Sequence, residues 1–198
     1  MINEIKIQDI ENYLRTKFND NSHRLLHIYS VKKVAIILGK IYHADIPSVI
    51  VASYLHDATK HESNEENLRL IGTLLSDDVP KACYHAYSAS QLAKQRFGIE
   101  DLDILNAIKY HCSGRKEMSL LEKIIYVSDF IEEGRDFVDD DLRELAMKDL
   151  DLTVLKIMLR TKEYILKNHQ SFSNLTEDAI QYYQNKGELN EWIIKNSI

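Results

Sequence analysis

Apolar residues recur at spacings of three and four along most of the chain, the pattern of amphipathic helices. Ile2, Ile5, Ile10, Tyr13 and Leu14 mark an opening helix, closed by Asn19-Asp20-Asn21. Ser22 is placed to cap a second helix running to about Tyr42, with Leu25, Ile28, Val31, Val34, Ala35 and Leu38 along one stripe. Pro47 suits the first turn of a third helix, Ser48 to about Thr59. That helix is apolar on nearly all sides, which predicts burial. Further helices are predicted at about Glu65–Leu75, Ala82–Phe97, Leu102–His111, Leu120–Glu133, Leu142–Met147 and Leu152–Asn168, with a break at Asp77-Asp78-Val79-Pro80. After Gln170 the chain turns polar, then helical at Glu177–Asn185 and Glu191–Lys195. No stretch alternates cleanly over six residues, so no strand is predicted. The expected fold is all-α: one helical bundle over residues 1–169, with a short polar, helical extension over 170–198.

Composition narrows this. Only 6 Gly and 2 Pro in 198 residues argue against a turn-dense sandwich or barrel. The 25 Lys+Arg against 31 Asp+Glu give a formal net charge of −6, so no global field draws in nucleic acid or an anionic membrane. Local cations must serve any phosphate-rich ligand. The amphipathic start has no apolar signal core, and the apolar run Val34–Leu38 is too short to span a bilayer. Two cysteines, Cys83 and Cys112, make no disulfide framework. A cytoplasmic protein is expected.

The candidate chemistry sits on histidine and aspartate. The pair His56-Asp57 ends the most apolar helix, where an ionised Asp is costly unless paired or metal-bound. Asp129 lies inside the apolar run Ile124-Ile125-Tyr126-Val127-Ser128-Asp129-Phe130-Ile131, where packing alone gives it no reason to exist. His27, His85 and His111 fall on three other predicted helices. Four imidazoles and two carboxylates from five helices could converge in a bundle core, as carboxylate–imidazole metal sites do. A satisfied core histidine remains the alternative for His27, and His85 and His111 are dispensable to a mononuclear site. His23, His43, His61 and His169 read as surface residues. Cys112 reads as a small buried apolar group, because a soft thiolate suits iron or manganese poorly.

Lys60 lies one turn beyond His56 and Arg24 three residues before His27, so either could meet a phosphate or serve as an ordinary helix-end or surface charge. Arg115 and Arg135 follow helices bearing candidate ligands, and their guanidinium forks suit phosphate. The acidic run Asp139-Asp140-Asp141 suits a helix start.

In order, His27, His56-Asp57, His85, His111 and Asp129 resemble the pattern of the HD-domain superfamily of metal-dependent phosphohydrolases, in its binuclear branch. The stretches Leu55-His56-Asp57-Ala58-Thr59-Lys60, Ala107–Arg115 and Met118–Asp129, with Gly134-Arg135-Asp136-Phe137, resemble the YqeK family of small bacterial symmetrical bis(5′-nucleosyl)-tetraphosphatases. The family's usual His-Thr-Thr-Gly-Arg reads His111-Cys112-Ser113-Gly114-Arg115 here, its Glu-Pro-Gly-Arg reads Glu132-Glu133-Gly134-Arg135, and the tail after Gln170 matches poorly.

The resemblance implies two divalent transition-metal ions, iron first and manganese as the alternative. Asp57 would bridge them, with His27, His56 and Asp129 on one and His85 and His111 on the other. It implies a nucleotide partner, diadenosine tetraphosphate, cut to two ADP by metal-activated water attacking an inner phosphorus. Asp57 and Lys60 would be catalytic, and Arg24, Lys60, Arg115 and Arg135 would bind substrate. The chain could pair as a homodimer. A nucleotidase on nucleoside mono- or diphosphates and a non-catalytic metal- and nucleotide-binding sensor are the competing readings.

Overall fold

The computed structural model describes residues 4–20, 22–75, 79–169 and 172–196. Among these there are ten α-helices and no strand. They are α1 (Glu4–Phe18), α2 (His23–Ile41), α3 (Ile46–Leu55), α4 (Asn64–Ile71), α5 (Tyr84–Phe97), α6 (Leu102–Tyr110), α7 (Leu120–Ile131), α8 (Asp140–Ala146), α9 (Leu150–Lys167) and α10 (Asn174–Asn196). Ile2, Asn21, Asp77, Asp78 and Gln170, which the sequence reading used, lie outside the described residues.

The helix starts are chemically specified. Ser22, Asp45, Ser63, Asp101, Ser119, Asp139 and Asp149 each accept a backbone N–H with the side chain at the cap. Each such cap contributes about 1 kcal/mol. Asp139 thus begins α8, as the acidic run predicted. At α7 the cap is reciprocal: Ser119 Oγ accepts from Glu122, and Glu122 accepts from the Ser119 N–H at 2.7 Å.

The all-round apolar α3 packs against α1, α2, α6 and α7, with Val49, Val51, Ala52, Tyr54 and Leu55 buried. Its approach to α2 needs Gly39, where an added Cβ would stand 3.1 Å from Ile46 Cδ1 and 3.2 Å from Val49 Cγ2. One core runs through the helices, from Ile10 and Leu14 to Ile124, Ile125 and Ile157, and reaches Ala179, Ile180 and Tyr183 on α10. No helix among the described residues is long and apolar enough to cross a membrane.

Three elements differ from expectation. The helix expected to reach about Leu75 stops at Ile71, where Gly72 takes a φ of +66°. The third helix stops at Leu55, not Thr59. Residues 56–61 instead roll into tight turns, with Ala58 N–H bonded to Leu55 O, Lys60 N–H to Asp57 O and Glu62 N–H to Thr59 O. Thr59 Oγ1 donates to His85 O at 2.7 Å, pinning this turn to the start of α5. The tail forms one helix, Asn174–Asn196, where two pieces were predicted. Thr176 Oγ1 donates to Ser113 O at 2.7 Å, so α10 braces the turn after α6.

That turn depends on Gly114, whose φ is +61°. A Cβ there would meet the Met158 methyl, which a flexible thioether can withdraw, so the backbone cost dominates. Gly114→Ala is expected to lower stability by about 1–2 kcal/mol. A chemical-denaturation midpoint equal to that of the unsubstituted protein would contradict this.

Candidate metal centre

The tight turn after α3 presents His56 and Asp57 side by side in the core, 0% and 3% exposed. His27 comes from the second turn of α2, His85 from the start of α5, His111 from the end of α6 and Asp129 from the last turn of α7. All six meet. The two carboxylate oxygens of Asp57 face two different sets of donors. Oδ2 lies 3.5 Å from His27 Nε2 and 3.7 Å from His56 Nε2, and His27 Nε2 lies 3.0 Å from Asp129 Oδ1. Oδ1 lies 3.1 Å from His85 Nε2 and 3.5 Å from His111 Nε2. Within each set the two imidazole Nε2 atoms approach to 3.4 Å.

The outer nitrogens explain which ring atom faces inward. His56 Nδ1 donates to Ser53 O at 2.6 Å and His111 Nδ1 to Ile108 O at 2.7 Å. His27 Nδ1 stands 3.2 Å from the Glu132 carboxylate. These acceptors commit the Nδ1 proton and leave Nε2 to the cluster. Asp57 Oδ1 is buried and accepts no aligned hydrogen bond despite its two imidazole neighbours.

The electrostatics call for positive charge. Burial brings His56 down to about 4, so its ring is neutral at pH 7. Burial opposes ionisation of Asp57, but the imidazoles of His56, His111 and His85 outweigh it and hold the carboxyl well below the usual range. At Asp129 burial is likewise outweighed, by the His27 hydrogen bond and the His56 and His111 rings. Burial would lower His85 and His111, but Cys112 and Asp57 raise both. Protons or a cation can answer this demand. Imidazole lone pairs converging at 3.1 and 3.5 Å on an orphaned carboxylate oxygen suit a divalent metal, so the residues present fit one.

Three of the four predicted phosphate contacts reach the cluster. Arg24 Nη1 pairs with Asp57 Oδ2, and its Nε is buried without a partner. Lys60 is exposed, its Nζ 3.2 Å from His85 Nε2. Arg135 Nη2 lies 3.3 Å from Asp129 Oδ1. Arg115 is engaged elsewhere. Its guanidinium forks onto the buried Glu122 at 2.7 and 2.9 Å and stacks on Tyr110, and it lines neither cleft beside the cluster. His23, His43, His61 and His169 are exposed, as expected.

Two functional candidates escaped the sequence reading. Glu132, 4% exposed, holds His27 and accepts the Gly134 N–H at 2.6 Å. Its signal was the i,i+3 spacing from Asp129 on α7. Cys112 was read as apolar filler, yet its Sγ lies 3.3 Å from both His85 Nε2 and His111 Nε2. Its only signal was its place beside His111.

Two clefts flank the cluster. One, about 730 Å³, has His111, Asp129, Lys60 and Arg135 in its wall and the exposed Phe137 and Tyr164 at its rim. The other, about 660 Å³, is lined by Arg24, His27, Ser30, Glu132 and Arg135.

A helical bundle gathering imidazoles around a His-Asp pair defines the class of HD-type hydrolases, and the HD domain model matches residues 24–134. HD hydrolases bind divalent metals. A symmetrical bis(5′-nucleosyl)-tetraphosphatase of Bacillus subtilis (strain 168) is 36% identical over 154 residues, 75% of this chain and 82% of its own. The protein of that name in Staphylococcus aureus (strain NCTC 8325 / PS 47) is 31% identical over 172 residues, 83% of this chain and 89% of its own. A crystal structure from Clostridium acetobutylicum, described as a predicted HD superfamily hydrolase involved in NAD metabolism, superposes with a TM-score of 0.85 at 33% identity, covering 90% of this chain and 97% of that one. The chain therefore belongs to the HD-domain family, and within it to the same family as these relatives.

Proposed function

We propose that this chain is a divalent-metal-dependent hydrolase that splits diadenosine tetraphosphate symmetrically into two ADP. The observation that carries the reading is the placement of Asp57, whose two oxygens face separate donor sets between two clefts. The relatives' shared name supplies the substrate class.

His27, His56, Asp129 and Asp57 Oδ2 would hold one ion, and His85, His111 and Asp57 Oδ1 the other. Two transition-metal ions, iron first and manganese as the alternative, would supply an activated water and polarise a phosphoryl oxygen. The chain's own cations bind the rest of the phosphate chain. Lys60 stands at one cleft, Arg24 at the other, and Arg135 borders both. Charge-assisted contacts from these three offset the phosphate charge and fix the tetraphosphate across the cluster. A nucleoside then enters each cleft, and an adenine can stack on Phe137 or Tyr164, which are 67% and 65% exposed. With the chain centred in this way, water adds at an inner phosphorus and one ADP leaves, carrying the electron pair of the broken bridge.

Residues 1–169 form the proposed catalytic unit and 170–198, which contain α10, its extension, with the cytoplasm, where nucleotides and reduced thiols occur, as the working compartment. A panel of diadenosine tetraphosphate, ATP and dGMP, assayed with and without chelator, tests the proposal. ADP from the dinucleotide is expected, lost on chelation and restored by divalent transition-metal ions. Phosphate release from dGMP alone would mark a nucleotidase. Metal binding without turnover would mark a sensor.

A further inference from the structure

The half of the centre built on His85 and His111 contains one donor more than the function above uses. Cys112 Sγ lies 3.3 Å from His85 Nε2 and 3.3 Å from His111 Nε2. The two nitrogens lie 3.4 Å from each other, and 3.1 and 3.5 Å from Asp57 Oδ1. A tetrahedron with metal–nitrogen bonds of about 2.0–2.1 Å has edges of about 3.3–3.4 Å. The triangles Nε2–Nε2–Oδ1 and Nε2–Nε2–Sγ, which share the edge between the two imidazoles, therefore each have edges near those of a tetrahedral face. The two sulfur edges are a few tenths of an ångström short of the value for a bond to sulfur of about 2.3 Å. The fourth corner is well fixed: His111 is tied to Ile108 O, Gly114 N–H to Tyr110 O, and Ser113 O to Thr176. A second observation points to an ion at the same place: Asp57 Oδ1 is buried without an aligned hydrogen bond.

We propose that Cys112 is a thiolate ligand to the ion held by His85, His111 and Asp57 Oδ1, and that this half of the centre selects a borderline-soft divalent ion of the zinc type over manganese or magnesium. The proposal rests on the two-ion reading above and makes the two halves chemically unequal. The His27, His56 and Asp129 set offers nitrogen and oxygen only, which suits iron or manganese. The Cys112 set offers nitrogen, oxygen and sulfur, which suits zinc or cobalt(II). Binding releases the thiol proton to solvent, and no electron is transferred. Cys83 is buried and packs in the same small apolar cluster as Cys112.

The test is optical and does not depend on turnover. Metal-free full-length protein is titrated with cobalt(II) to two equivalents. A thiolate-to-cobalt charge-transfer band in the near ultraviolet is expected, beside the visible ligand-field bands. Cys112→Ser should abolish the charge-transfer band, keep ligand-field absorption from the other half, and weaken zinc binding at least about tenfold. Cys83→Ser should keep the band. Two equivalents of cobalt bound to the unsubstituted protein without the band would overturn the ligand, whatever the variants do, and leave the two-ion reading standing. A band that survives Cys112→Ser would overturn it as well. Failure to bind two equivalents at all would remove the two-ion reading and this proposal with it.

Discussion

Asp57→Ala is expected to empty the centre of metal and lower turnover by at least about 10²-fold, the loss that follows removal of a principal electrostatic element. Among the described residues, Asp57 is the one side chain whose two oxygens face both donor sets. Without it four imidazoles, Asp129 and the Cys112 thiolate remain, and the carboxylate that would join the two donor sets is gone. The same change strips Arg24 of its carboxylate partner and leaves a guanidinium whose Nε is already unpaired. Asp57→Asn separates the effects, because it keeps the shape and removes the charge. Both variants should show less metal by elemental analysis while circular dichroism remains helical. Near-normal turnover in Asp57→Ala would refute the assignment of the centre.

Glu132→Ala comes next in size. Glu132 touches no donor atom that faces the cluster, so it acts through His27, whose Nδ1 it holds at 3.2 Å. Its other oxygen accepts the Gly134 N–H, and Arg135 Nε lies 3.5 Å away. Losing the carboxylate frees the imidazole to rotate and to change tautomer. Metal affinity is expected to fall about 10–100-fold, the range for such outer partners. Glu132→Gln keeps an acceptor and should recover part of the loss. A competition titration with a chelator reads the affinity directly. A drop in thermal stability with unchanged metal affinity would make Glu132 merely a helix-end brace.

The sequence revealed the helices well because burial and helical period coincide. Leu25, Ile28, Val31, Ala35 and Leu38 are all buried on α2, on the predicted stripe. Asp57 and Asp129 were conspicuous because charge inside apolar runs is costly, and the ordered resemblance to the HD pattern joined His27, His56, His85 and His111 to them. The end of α3 was not legible. Ala58 and Thr59 suit a helix, and what stops it is a contact 26 residues away, Thr59 with His85 O. Arg115 is held away from the cluster by a contact of the same kind. Its partner Glu122 is 1% exposed and needs a cation. The single helix α10 runs through Gly187, whose surroundings are open and impose nothing on the backbone. Cys112 was set aside because a soft thiolate suits iron or manganese poorly; its distances to two imidazoles are legible only in the fold.

The central claim is that the tetraphosphate is cut at its centre, and hydrolysis in heavy-oxygen water tests it most directly. Mass spectrometry of the products of diadenosine tetraphosphate should show only ADP, two per substrate, with one of each two carrying a single heavy oxygen on its terminal phosphate. ATP and AMP as the dominant products would contradict central cleavage.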